Sequence, residues 1–107
     1  MTRPVGFLGL GLSFFLSLGS VGCVTSFPTE EYTLARAAVE SARDAESARF
    51  APTLWYKAEN SYIEGERLYK DRRYDGARSS FLEARVSAER AENTARLARF
   101  QSGDASP

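Results

Sequence analysis

The chain has 107 residues, with 14 basic and 14 acidic side chains, one cysteine and no histidine. Without histidine there is no base for a Ser-His-Asp or Cys-His nucleophile and no set of ligands for an ordinary zinc site. A near-neutral balance gives no expected pull toward nucleic acid or toward anionic lipid headgroups, and one cysteine allows no intrachain disulfide.

Residues 1–22 read as a secretory signal. Arg3 precedes a charge-free run from Val5 to Leu18, then the small-residue segment Gly19-Ser20-Val21-Gly22, and the run closes on Cys23. At 14 residues the run falls short of the about 20 that span a bilayer. Glycines at 6, 9, 11 and 19 make a poor core helix. An ordinary signal peptide cut elsewhere would leave Cys23 as a free thiol, a liability in an oxidising compartment. The segment resembles a bacterial lipoprotein signal peptide, with Ser20 where that pattern prefers leucine. The resemblance implies that the Cys23 thiol takes up a diacylglyceryl group and becomes the acylated, palmitate-bearing N-terminus. It also implies outer-membrane sorting in a Gram-negative cell, because Val24 rather than aspartate follows the cysteine. Cleavage removes Arg3, so acidic residues exceed basic ones by one in the mature chain. Two acyl chains anchor a protein without help from a basic patch.

Residues 23–28 form a lipidated tether. Thr29, followed by Glu30 and Glu31, reads as an N-cap with acids in the first turn, which suit the helix dipole. A first helix continues to Arg49, with alanines at 35, 38, 42 and 45 on one narrow face flanked by Leu34 and Val39. Pro52 suits the first turn of a second helix running to Tyr69, whose inward stripe is Trp55, Ala58, Tyr62, Gly65 and Tyr69. Lys70-Asp71-Arg72-Arg73 is a short polar link, so the third helix turns back antiparallel. In that helix Tyr74, Ala77, Phe81, Ala84, Ala88, Ala91, Ala95 and Ala98 repeat at alternating spacings of three and four. Residues 101–107 read as a polar tail.

These elements predict an all-α fold, an antiparallel three-helix array over residues 29–100, stabilised largely by aromatics because alanine buries little area. The densest core is expected at the turn between the second and third helices, with the C-terminal half of the third held more weakly. Gly65 is expected to mark the closest approach of those two helices, since an interior glycine costs about 1 kcal/mol against alanine.

Gly65, Tyr74, Ala77, Phe81 and Ala84 stand in the register of one tetratricopeptide repeat, so the second and third helices resemble a single repeat-like hairpin. Ser61 and Glu64 replace its usual bulky residues, and Glu89 replaces its closing proline. An array needs about three such units to bury a continuous core. A resemblance over nearly the whole mature chain rests on Ala-Arg-Phe-Ala-Pro (48–52), on Tyr74, Asp75 and Ala77, and on an Ala/Glu/Arg-rich end. It is to a family of bacterial envelope lipoproteins known as domain of unknown function 4398. That resemblance implies a periplasmic helical domain.

No pairing of carboxylates suggests catalysis: Glu64 and Glu66 diverge by about 200° around a helix. The cluster Lys70, Arg72 and Arg73 could suit an anionic ligand, but a solvated turn at a helix C-terminus accounts for it. No glycine-rich phosphate loop occurs, and no cofactor or metal is expected. Tyr56 and Ile63, seven apart on the second helix, are the candidate partner-facing patch, the competing reading being that the first helix covers them. The expected function is therefore a non-enzymatic, periplasm-facing outer-membrane lipoprotein. It would be held to the membrane by its lipid and would work as a small helical interaction module for an envelope protein partner. The alternative is a structural spacer that self-associates as a homo-oligomer through the alanine seam.

Overall fold

Alanine at every third or fourth position of the longest helix decides how the chain folds. The computed structural model describes residues 27–103. They form four helices, α1 (Thr29–Asp44), α2 (Ser47–Phe50), α3 (Pro52–Lys70) and α4 (Tyr74–Gln101). The fold is all-α, with no strand among the described residues. The 28 residues of α4 make an axis of about 42 Å, along which both α1 and α3 lie. α1 runs parallel to α4: Arg78 Nε donates to Glu31 Oε1 at 2.9 Å near the start, and Arg99 Nε lies 3.5 Å from Glu46 Oε2 just beyond its end. α3 runs the other way, with Leu68 beside Gly76 at the turn and Trp55 among Ala88, Ala91 and Ala95 at the far end. The result is an up-down-up array of three long helices.

The predicted seam is internal from Ala77 to Ala95, while Tyr74 and Ala98 at its two ends are only half-buried. Ala77, Ala84, Ala88, Ala91 and Ala95 of α4 are wholly buried, as are Ala35 and Ala42 of α1 and Ala58 of α3. Side chains this small bring helix axes toward the short end of the usual 8–10 Å range. Phe81 is the large exception, 1% exposed, and Gly65 makes room for it. A Cβ on Gly65 would lie 2.6 Å from both Cδ1 and Cε1 of the Phe81 ring, so the expected close approach is present. Tyr32 meets the same ring edge-on at 5.4 Å, and Tyr62 lies 5.8 Å away. Burial, followed by the neighbouring Tyr32 hydroxyl, pushes the Tyr62 phenol above its ordinary value.

Several local expectations are corrected. The first helix does not reach Arg49. It ends at Asp44, and Glu46 takes a left-handed conformation (φ 60°, ψ 40°) before the single turn of α2. That break turns the chain so that Ala51 is buried and Phe50 packs on the core, which a straight helix would carry past α3. Pro28, not Thr29, occupies the N-cap, and no side chain caps α1. Leu34 is partly exposed. Tyr69 is 43% exposed while Leu68 is 7% exposed, because α1 starts too late to cover Tyr69 and the first turn of α4 covers Leu68. The larger group of buried residues lies away from the turn, where Ala38, Val39, Ala42 and Ala45 close over Trp55, Ala88, Ala91 and Ala95. The smaller group surrounds Phe81, and Tyr62 packs against both. α4 is therefore firmly held as far as Ala95, because α1 and α2 extend along it. Arg43 sits 5.7 Å over the Trp55 ring and shields that end.

Candidate interaction surfaces

With the small residues inside, large apolar side chains are left outside. Tyr56 and Ile63 are 58% and 57% exposed on the outer face of α3. Seven residues make nearly two full turns, so the two side chains are almost aligned. α1 does not cover them, since it packs on the side of α3 that carries Trp55 and Tyr62. Polar pairs border this patch. Lys57 Nζ lies 3.5 Å from Glu83 Oε1 across to α4. Arg67 grips Glu64 with two bonds, Nε to Oε2 at 2.9 Å and Nη2 to Oε1 at 2.6 Å, and donates from Nη1 to Asp71 at 3.2 Å. The hydrogen bond from Arg67 holds the Glu64 carboxyl below its ordinary range.

A second apolar surface was missed by sequence reasoning. Leu34 of α1 and Leu82 of α4 line a groove of about 270 Å³, with Glu31, Arg78 and Arg85 at its edges. Val86 lies one turn further along α4, and Leu97 and Phe100 form a separate exposed apolar pair near its end, with Glu89, Arg90 and Asn93 between. The spacing of 82, 86, 97 and 100 carried this signal, about half a turn from the alanines, but the alanine series dominated the periodicity.

A third feature lies where the described chain begins. Phe27 packs on Tyr74 at 5.0 Å and on Tyr69 at 6.4 Å, and those two tyrosines are 5.7 Å apart. Beside them a pocket of about 440 Å³ opens between Tyr32, Tyr69 and Phe81, with Glu66 and Lys70 on its lining. Arg72 follows α3 in the left-handed region (φ 60°), its N–H bonded to the Tyr69 carbonyl and that of Arg73 to Leu68. This is the usual helix-ending pair of bonds, with arginine at the position that glycine normally takes. Cys23 lies outside the described residues. Among the described residues no cluster of acids, histidines or cysteines could hold a metal ion, and no helix is long and apolar enough to cross a membrane.

Fold and surfaces together define a small all-α domain, built on a shared alanine seam and apolar on several outer faces. The chain belongs to the family described as Domain of unknown function (DUF4398), which matches residues 30–105. Comparison with curated proteins and with solved structures finds no match.

Proposed function

We propose that the chain is an outer-membrane lipoprotein, acylated at Cys23, whose domain faces the periplasm and serves without catalysis as a small helical interaction module. One observation carries the interaction reading: Tyr56 and Ile63 stand aligned and exposed on α3 while alanines fill the interior. The α3–α4 hairpin, with Gly65 against Phe81, would act as a rigid backing for that patch in the manner of one tetratricopeptide-like unit. The address rests on the signal segment ending at Cys23 and on Val24.

In the native cell, crosslinking followed by purification should recover an envelope protein. Tyr56→Ser with Ile63→Ser should lose that crosslink at unchanged melting temperature, and retention of it would refute the patch. Cys23→Ala should accumulate as uncleaved precursor, and normal maturation of that variant would refute the anchor. The alternative is a self-associating spacer; against its use of the alanine seam stands the burial of those alanines beneath α1 and α3 of the same chain. It would need the exposed apolar side chains of α4 instead, and light scattering of the lipid-free chain as a stable dimer would favour it.

A further inference from the structure

We propose that the end of the bundle formed by Phe27, Tyr69, Tyr74, Lys70, Arg72 and Arg73 docks on the anionic headgroups of the membrane holding the anchor. The inference rests on acylation at Cys23. Phe27 is four Cα–Cα steps along the chain from Cys23, a reach of at most about 14 Å. The polar layer of a bilayer leaflet is itself about 5–7 Å deep. The tip carrying Phe27 is therefore held close to the headgroups, whatever path the tether takes.

Its chemistry fits that position. Phe27 is 59% exposed, and the tyrosines against it are partly open, giving the amphipathic rings that favour a membrane–water boundary. Lys70, Arg72 and Arg73 carry no ion pair among the described residues. Most acids around them are engaged elsewhere: Asp71 and Glu64 by Arg67, and Glu31 and Asp75 by Arg78. Two further acids are close: Glu66, one turn before Lys70 and lining the same pocket, and Glu30 in the first turn of α1, so the bases outnumber the acids left over by three to two. Two helix N-termini, those of α1 and α4, meet one C-terminus here, so the backbone dipoles add positive character. The near-zero net charge of the chain conceals this, because opposite charges elsewhere cancel it.

The two lysines of the chain, Lys57 and Lys70, supply an internal ruler along α3. The mature lipoprotein would be added to vesicles of phosphatidylcholine alone, or of phosphatidylcholine with equal phosphatidylglycerol. A membrane-impermeant acetylating ester then labels exposed amines, and peptide mass spectrometry reads the Lys70:Lys57 ratio. On anionic vesicles that ratio should fall about fivefold, the factor equivalent to ~1 kcal/mol per base at the surface. Arg72→Glu with Arg73→Glu should abolish the fall, and raised salt should weaken it. Equal ratios on both vesicles, or protection of Lys57 instead, would overturn the docking while leaving the anchor intact. An N-terminal peptide without acyl mass would overturn the anchor, and the docking with it.

Discussion

Replacing Gly65 by alanine sets two opposing effects against each other, and the structure decides the winner. Alanine gains about 1 kcal/mol in a helix interior through propensity alone. Its Cβ, however, would lie 2.6 Å from two carbons of the Phe81 ring and 3.1 Å from a third. Comfortable carbon contacts are about 3.5–4.0 Å, so the ring must retreat by about 1 Å or the helices must part. Retreat is blocked, because Phe81 is enclosed by Tyr32 and Tyr62 and almost wholly buried. Overpacking of this kind costs about 1–3 kcal/mol. Gly65→Ala should therefore lie between neutral and about 2 kcal/mol destabilising, and Gly65→Leu should lose more. A Phe81→Leu background removes the planar ring and separates the terms. There Gly65→Ala should become stabilising by up to about 1 kcal/mol, a coupling of the size expected for touching residues. Urea unfolding of residues 23–107 carrying Cys23→Ser, followed by far-ultraviolet circular dichroism, reads all four corners of the cycle. A stabilising Gly65→Ala of equal size in both backgrounds would refute the close approach.

Arg72→Gly should raise stability by about 1 kcal/mol, since a left-handed backbone costs any residue with a Cβ roughly that much; a drop in urea midpoint would show that the arginine side chain outweighs the strain. Ser47 is fully buried and its Oγ has no hydrogen-bond partner, so Ser47→Ala should gain roughly 1 kcal/mol, and a loss would show a paired hydroxyl. The Glu64 carboxyl sits below its ordinary value of 4.5 because of Arg67, so its contribution is present above that pH and fades as the pH falls through the lowered value. Thermal melts down to about pH 3 should thus show a slightly flatter acid limb for Glu64→Gln, small because the pair is exposed, and identical limbs would show no linkage.

The fold was legible because one physical requirement repeats along α4: close helix approach demands small residues at a helical spacing. The same reasoning located Gly65, since a costly interior glycine needs a neighbour that uses the space. The break at Glu46 was not legible. Asp44-Ala45-Glu46-Ser47 carries no glycine or proline, and the left-handed turn is imposed by the need to bury Ala51 and bring in Pro52. The exchange of Tyr69 for Leu68 as a buried residue depends on where α1 begins and how α4 leaves the turn, neither of which lies within the helix that carries them. The basic cluster at 70–73, with Tyr69 and Tyr74 on either side, was legible in the sequence, but the place of Phe27 beside it was not. Phe27 is remote in sequence from Tyr69 and Tyr74, and only the up-down-up topology brings them together.

The allocation of side chains links this fold to its surfaces. A three-helix domain of ordinary composition would place leucine and phenylalanine at the seam and keep its outer faces polar. Here alanine fills the seam, while Tyr56, Ile63, Leu82, Leu97 and Phe100 remain exposed. Each of these side chains is already partly covered, so full burial by a partner would add roughly half to three quarters of the about 1.5–3 kcal/mol that a large apolar side chain offers, that is about 1–2 kcal/mol. The intramolecular core consequently depends on close helix approach and on a few aromatic anchors, namely Trp55, Phe81 and the Tyr32–Tyr62 pair. A variant that parts the helices should lose stability steeply, whereas serine at Tyr56 and Ile63 should leave the melting temperature nearly unchanged. That contrast distinguishes surfaces retained for contact from those that hold the chain together. Under the proposed interaction reading, the contact surfaces would lie on the outer faces of α3 and α4, away from the alanine seam.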